Sequence, residues 1–331
     1  MELGIFSLAD VSPDTRPSDA ARTDDIVGYG LLAEKHGLDV FGVGEHHGAG
    51  FAVSSPAVVL AAVAGATSRI ALTTASTVLS VLDPVRVYED FATLNLVSKG
   101  RAEVIAGRSA FAEPFAIFGE DVSQYDEIFA EKLDLLLRLR EEPVLNWDGR
   151  FRTALRNAVI TPRDEQGFPV WVGLSGSASS AERAGLLGLP MALGLLGGTI
   201  DRAKRVIDVY RDAGERAGHA EETLRVAISS HFYVGESPEA ALKDFFPYYR
   251  SYLANSLNAR MDMASMQQLA ARWGALMVGG PEQVAEKILD LKQELGVERL
   301  LGFTDLGGAP RELVNDSIAR FGDLVAPIVR A

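Results

Sequence analysis

Short apolar strands alternate with amphipathic helical segments along nearly the whole of this 331-residue chain, and few architectures tolerate that pattern. Residues 2–8 read as an opening strand. A helix over 18–36 follows and stops at Gly37, since glycine readily takes the left-handed conformation at a helix end. Strand 39–45, a helix from Pro56 to about Thr67, the β-rich stretch 69–78, a helix over 84–98 with proline in its first turn, strand 101–107 and helix 125–141 make four βα units. Residues 142–167 break the rhythm with proline, tryptophan and glycine and are expected to form an excursion of hairpin type. Strands 170–174, 191–196, 225–234 and 299–304 then restore it, with helices after the first of them and over 201–217, 238–254, 281–295 and from Pro310 onward. Eight alternating units imply a parallel sheet that closes, so the expected fold is α/β, a (β/α)8 TIM barrel with insertions, spanning 1–331 as one domain.

Composition removes several kinds of chemistry. The chain has no cysteine, which excludes disulfides, thiolate metal sites and cysteine nucleophiles. A net charge of −13 with dispersed lysines and arginines makes nucleic acid and anionic membranes poor partners. No apolar run reaches the ~18 residues that span a bilayer and no secretory signal pattern opens the chain, so a cytoplasmic protein is expected.

In a barrel of this kind the carboxyl ends of the strands form the active-site face, and the second strand ends in GVGEHHG, residues 42–48. Only five histidines occur, and two of them, His46 and His47, stand together there behind Glu45. Adjacent residues at a strand end point to opposite sides, so this is not the helical spacing that brings two imidazoles onto one metal ion. No metal is expected. The spacing leaves a structural and a functional role equally open, and a flavin, a nicotinamide or an organic substrate suits the cluster better than zinc. His36, His219 and His231 are expected to be satisfied core or surface residues.

Three further strand ends carry candidate residues. Gly173 to Ser180, GLSGSASS, joins a strand to a helix with small and hydroxylated residues, which suits either an ordinary serine N-cap or a phosphate site built on free amides and the helix dipole. Arg108 follows the fourth strand, where it can pair bidentately with an anion or form a salt bridge with an acid such as Glu113. Thr73 to Thr77, TTAST, ends the third strand with residues small enough for backbone to approach a flat ligand, although β propensity alone also explains them. Finally, the helix AVVLAAVAGA over 57–66 is apolar nearly all round and must be covered on more than one side, by a loop or by a second subunit; a homodimer is the expectation.

With these residues in hand, the chain resembles the bacterial luciferase-like flavin-dependent monooxygenase family over nearly its whole length. The resemblance is carried by GVGEHHG (42–48), DPVRVYEDFATLNLVSKGRAEVIAGR (83–108), FGED (118–121), PVWVGLSGSASSAERAGLLGLP (169–190), VGGPEQVAEKI (278–288) and FGDLVAPIVR (321–330), in that order. It implies FMN bound at the carboxyl-terminal face, in reduced form, with electrons from NAD(P)H taken directly or through a separate flavin reductase, and O2 used to oxygenate a small organic substrate. By the same resemblance His46 serves the flavin chemistry as general base or proton shuttle, with Glu45 and His47 beside it. Arg108, Gly176, Ser177 and Ser180 match the phosphate site. Ala75-Ser76 falls at a non-proline cis peptide beneath the isoalloxazine, and residues 255–277, long and irregular, match a mobile active-site loop. Gly107 stands where the light-emitting subunit has a reactive cysteine, and no light emission is expected. Two other readings remain open at this point: a deazaflavin- or FMN-dependent hydride-transfer oxidoreductase, and a non-catalytic flavin-binding protein, against which intact His46 and Arg108 argue.

Overall fold

The computed structural model describes residues 1–331 apart from Asp14, Arg16, Ala110 and the side chain of Leu257. The first half runs β1 (Glu2–Ser7), α1 (Asp19–Lys35), β2 (Val40–Val43), α2 (Pro56–Ala66), β3 (Ala71–Thr74), β4 (Thr77–Val78), α3 (Pro84–Ser98), β5 (Val104–Gly107), α4 (Glu113–Phe118) and α5 (Tyr125–Glu141). Side-chain caps start the long helices where they are needed: Ser18 accepts from the Ala21 amide, and Asp83 from that of Val85 ahead of a proline first turn. Next comes an antiparallel hairpin of β6 (Leu145–Trp147) and β7 (Leu155–Ala158), whose connecting turn is held by Glu131 of α5 through the amides of Arg150, Phe151 and Arg152. The second half runs β8 (Val170–Leu174), α6 (Ala178–Leu186), β9 (Met191–Gly194), α7 (Ile200–Arg216), β10 (Val226–Val234), α8 (Pro238–Leu257), α9 (Met263–Ala270), β11 (Met277–Gly279), α10 (Pro281–Leu295), β12 (Arg299–Phe303), α11 (Arg311–Arg320) and, after a π-helical turn, α12 (Ala326–Arg330).

The main sheet is parallel and follows the order β3-β2-β1-β12-β10-β9-β8-β5-β4, with β11 added beside β10. β3 and β4 are two halves of one strand, so eight strands form the barrel, as the alternation predicts. The third strand closes it. Its first half pairs with β2 (Val43↔Thr74) and its second with β5 (Thr77↔Ala106), and the switch falls at Ala75-Ser76, whose peptide bond is cis.

Both faces of the strands are buried, which is why they read as continuous apolar runs and not as alternating ones. Leu3 and Ile5 of β1 and Leu300 of β12 pack outward under the helices, while Phe6, Ile105, Trp171, Leu301 and Phe303 fill the interior. At the amino-terminal end of the barrel Arg299, 1% exposed, lies 4.4 Å over the Trp171 ring and pairs with Glu2 at 2.8 Å and with Glu103. That end is plugged by charge, and ligand chemistry is left to the other.

The stretch 255–277, irregular by sequence pattern, contains helix α9. Asp262 caps α9 at its start by accepting from Ser265. Lys287 of α10 donates to the carbonyls of Ala270, Ala271 and Leu276 at its end, and burial brings that ammonium down to about 8. The helix therefore depends on a lysine some twenty residues away, which local periodicity does not reveal. Among the described residues no helix is long and apolar enough to cross a membrane.

Candidate active site

The floor of the site is the break in the third strand. The Thr74 hydroxyl accepts from the amides of Thr77 and Ile105 and donates to the Ile105 carbonyl, so one side chain fixes the strand on both sides of Ala75-Ser76. Gly107, at the end of β5, lies so close that a Cβ there would stand 2.2 Å from the Ser76 hydroxyl oxygen. Any side chain at 107 would displace Ser76. The cysteine of the light-emitting subunit thus has no room here without rearrangement of the floor.

Beside this floor β2 delivers the Glu-His-His sequence, and the two histidines part company as strand geometry requires. Glu45 is buried, its Oε1 2.7 Å from His47 Nε2, while its Oε2 accepts from the Val78 amide at 3.2 Å. The His47 ring also meets the edge of Phe118. His46 instead stacks on Phe51, centroids 3.9 Å apart and 14° from parallel, with Phe111 edge-on to it. It lines a cleft of about 700 Å³ together with Asp10, Phe51, Phe111, Tyr252 and Asn255. Burial, reinforced by the neighbouring His47, pushes the His46 imidazole down to about 4. At pH 7 the ring is therefore neutral, with one nitrogen free to accept a proton.

The phosphate-type residues also come together. Arg108 Nη2 donates to Ser180 Oγ at 2.8 Å, its Nη1 is ion-paired with Asp126, and the guanidinium covers the Tyr125 ring at 4.9 Å. Asp126, not Glu113, is the acid that meets Arg108. Ser177 caps α6 by accepting from the Ser180 amide and shares a hydrogen bond with Ser179. Gly176 has φ +103°, open to glycine and costly for other residues. The serine turn is therefore an N-cap, and it also brings the Ser180 hydroxyl to the Arg108 guanidinium.

Sequence reasoning missed a second buried cluster. Arg22 of α1 pairs with Asp305 at 2.7 Å and reaches Asp10 at 3.6 Å, the Ser7 hydroxyl donates to Asp305 at 2.6 Å, and the Gly307 amide donates to Asp10 at 2.8 Å. Burial and the adjacent Asp305 carboxylate, against the pull of Arg22, lift Asp10 to about 6. The available signal was two aspartates just beyond the ends of neighbouring strands β1 and β12. His231 was expected to be satisfied. It is buried against Tyr249, Tyr252 and Phe303, but its Nε2 has no hydrogen-bond partner among the described residues, and burial holds the ring down at about 3. His36 and His219 do have partners, Asp323 and the Leu186 carbonyl. Among the described residues no three His, Cys, Asp or Glu side chains gather as a metal site.

A parallel barrel with an aromatic, histidine-lined cleft and an arginine–serine cluster on its carboxyl-terminal face defines a ligand-binding α/β barrel of enzyme type. Residues 1–299 match the luciferase-like monooxygenase family, and the chain belongs to that family. The alkanal monooxygenase alpha chain of the Kryptophanaron alfredi symbiont is 28% identical over 260 residues, 76% of this chain and 71% of that protein. Among solved structures, a monooxygenase from Streptomyces bottropensis is similar at a TM-score of 0.88 with 22% identity, over 99% of each chain. The oxygenating constituent of 3,6-diketocamphane monooxygenase of Pseudomonas putida, a type II Baeyer-Villiger monooxygenase in complex with FMN, is similar at 0.79 with 18% identity, over 99% of this chain and 98% of that one. An F420-dependent secondary alcohol dehydrogenase in complex with an F420–acetone adduct is similar at 0.76 with 18% identity, over 100% and 99%. The family is one of oxidoreductases, and its neighbours divide between flavin and deazaflavin cofactors.

Proposed function

We propose that this protein is a flavin-dependent monooxygenase that uses reduced FMN and O2 to oxygenate a small organic substrate. The observation that carries the reading is the cluster at the end of β8, in which Arg108 is bonded to Ser180 beside a glycine without a Cβ, on the face that also holds His46. These residues fit the cofactor. A guanidinium and serine hydroxyls are charge-assisted donors suited to phosphate, and the Gly107 close approach keeps the floor at Ala75 and Ser76 low enough for a flat ring system.

Arg108, Gly176, Ser177 and Ser180 would hold the phosphate, and Ala75 and Ser76 would support the ring. When bound, reduced FMN supplies the electrons that activate O2 for transfer of one oxygen atom. His46, neutral at pH 7, offers a ring nitrogen to take up a proton from the reacting group. Glu45 fixes His47, and Phe51 and Phe111 give the cleft an apolar wall around His46. Electrons would come from NAD(P)H, directly or through a reductase. The exposed Val58 of α2, 68% accessible, and the exposed Leu96 and Val97 of α3 support a homodimer formed through these helices.

The deazaflavin-dependent dehydrogenase reading is favoured by the third structural likeness. Glu45-His46-His47 and the adjoining FAVSSP, residues 51–56, favour FMN. Purified apoprotein offered FMN and deazaflavin separately decides between them. FMN is expected to be retained and its reduced form to consume oxygen; retention of deazaflavin alone overturns the proposal.

A further inference from the structure

A second arginine stands at the Gly176 turn. Arg202 belongs to the first turn of α7, which Thr199 caps through the Arg202 amide at 3.2 Å. A Cβ built on Gly176 would lie 3.1 Å from Arg202 Nη2, 3.2 Å from Nε and 3.3 Å from Cζ. Three nearly equal distances mean that the guanidinium presents its flat face to the glycine. Its N–H donors lie in the guanidinium plane and so point along the turn, not into the backbone. Among the described residues the Arg202 side chain makes no hydrogen bond and no ion pair.

Charge balance gives this placement its significance. Arg108 is already paired with Asp126, so those two groups together are neutral. A phosphate monoester carries roughly −1.5 to −2 at pH 7, and a neutral cluster offers it little attraction. Arg202 makes the cluster of three net positive.

We propose that Arg202 is the second cation of this anion site, that it reaches a phosphate monoester along the side of the turn that Gly176 leaves open, and that it supplies the net charge which Asp126 removes from Arg108. The inference rests on the FMN reading for the identity of the ligand but not for the chemistry of the site.

The test titrates FMN and riboflavin into apoprotein and follows the quenching of flavin fluorescence for the parent, Arg202→Ala and Asp126→Asn. Arg202→Ala is expected to weaken FMN about tenfold or more and to leave riboflavin unchanged, the usual scale for one charge-assisted contact. Asp126→Asn is expected to act in the opposite direction and tighten FMN. An unchanged FMN affinity in Arg202→Ala, or equal losses for FMN and riboflavin, overturns the assignment. Thermal unfolding with inorganic phosphate is the second arm. Loss in Arg202→Ala of a phosphate-dependent rise in Tm, with no FMN binding in the parent, upholds the anion site and rejects the cofactor. No response of the parent to either phosphate or FMN rejects the inference itself.

Discussion

The Glu45 carboxylate lies 2.7 Å from His47 Nε2, and this contact divides the two adjacent histidines between different tasks. His47 satisfies a buried acid, whereas the His46 ring makes no hydrogen bond to the described residues and faces the cleft. Replacing His47 by alanine strands a buried carboxylate oxygen, which costs about 1–3 kcal/mol. His46→Ala removes a ring stack at a partly buried position without stranding a hydrogen-bond partner, and is expected to cost less than the His47 change, about 1 kcal/mol. Denaturant midpoints of the two variants check the order; a larger loss for His46→Ala would reverse the division of labour.

Activity should show the opposite ranking. His46→Ala is expected to keep flavin affinity near the parent value and to lower product formation by about 10²–10⁴-fold, reduced flavin being oxidised to hydrogen peroxide instead. Because burial holds the ring near 4, the parent's turnover should be insensitive to His46 above about pH 5 and fall below it. The ratio of product to peroxide, measured across pH, is the readout, and parent-like coupling in the variant would reduce His46 to a packing residue.

Arg108→Ala is expected to weaken FMN binding by about ten- to a hundredfold through loss of a charge-assisted contact, while riboflavin, without a phosphate, should bind as before. A common loss for both ligands would move the phosphate elsewhere.

His231 ties stability to acid. Its pKa falls from about 6.5 in the unfolded chain to about 3 in the fold, so the unfolded state holds the extra proton in between. The stability that His231 contributes is complete above pH 6.5 and is lost as pH falls toward 3, by up to about 1.4 kcal/mol per pH unit. His46 acts in the same sense down to about 4. Asp10 acts in the opposite one, since its raised value, about 6, gives stability that is present below about 3.8 and lost as pH rises through 6. The parent's pH profile is therefore a sum, and the informative quantity is the difference between parent and His231→Phe. That variant should flatten the fall below pH 6.5 by one proton's worth of slope; identical slopes would show that the ring titrates normally.

Val58→Glu tests the proposed subunit contact. The side chain is already exposed, so a monomer should tolerate the charge. A shift to half the mass in analytical ultracentrifugation with an unchanged Tm at low protein concentration is expected, and an unaltered sedimentation coefficient would place any partner on another face.

The alternation of strand and helix made the barrel legible in advance, because both signals are local: apolar runs for strands buried on two faces, and caps and prolines for helix starts. The site residues were legible where they followed a strand end, as Glu45, Arg108 and Ser180 do. What escaped depended on distant partners. Helix α9 rests on Lys287, and Asp10 acquires its character from Arg22 and Asp305, the latter nearly the whole chain away. Arg202 is, by spacing alone, one more charge on an amphipathic helix, and only the fold sets it against Gly176. The depressed pKa of His46 likewise arises from its burial and from the neighbouring His47, in a fold that packs Phe51 and Phe111 around the ring.

A barrel is a hoop, and a hoop is only as strong as its thinnest joint. Five rungs bind β1 to β12, whereas β4 and β5 share two, Thr77↔Ala106 and Val78↔Gly107, supplemented by the bridge Leu72↔Ala102 on the other side of the break. That thin joint begins at Ser76, in the floor of the cleft. The ring of strands is thus fastened at the spot where the molecule presents its platform, and the mechanical integrity of the scaffold and the contour of the site are vested in the same few residues.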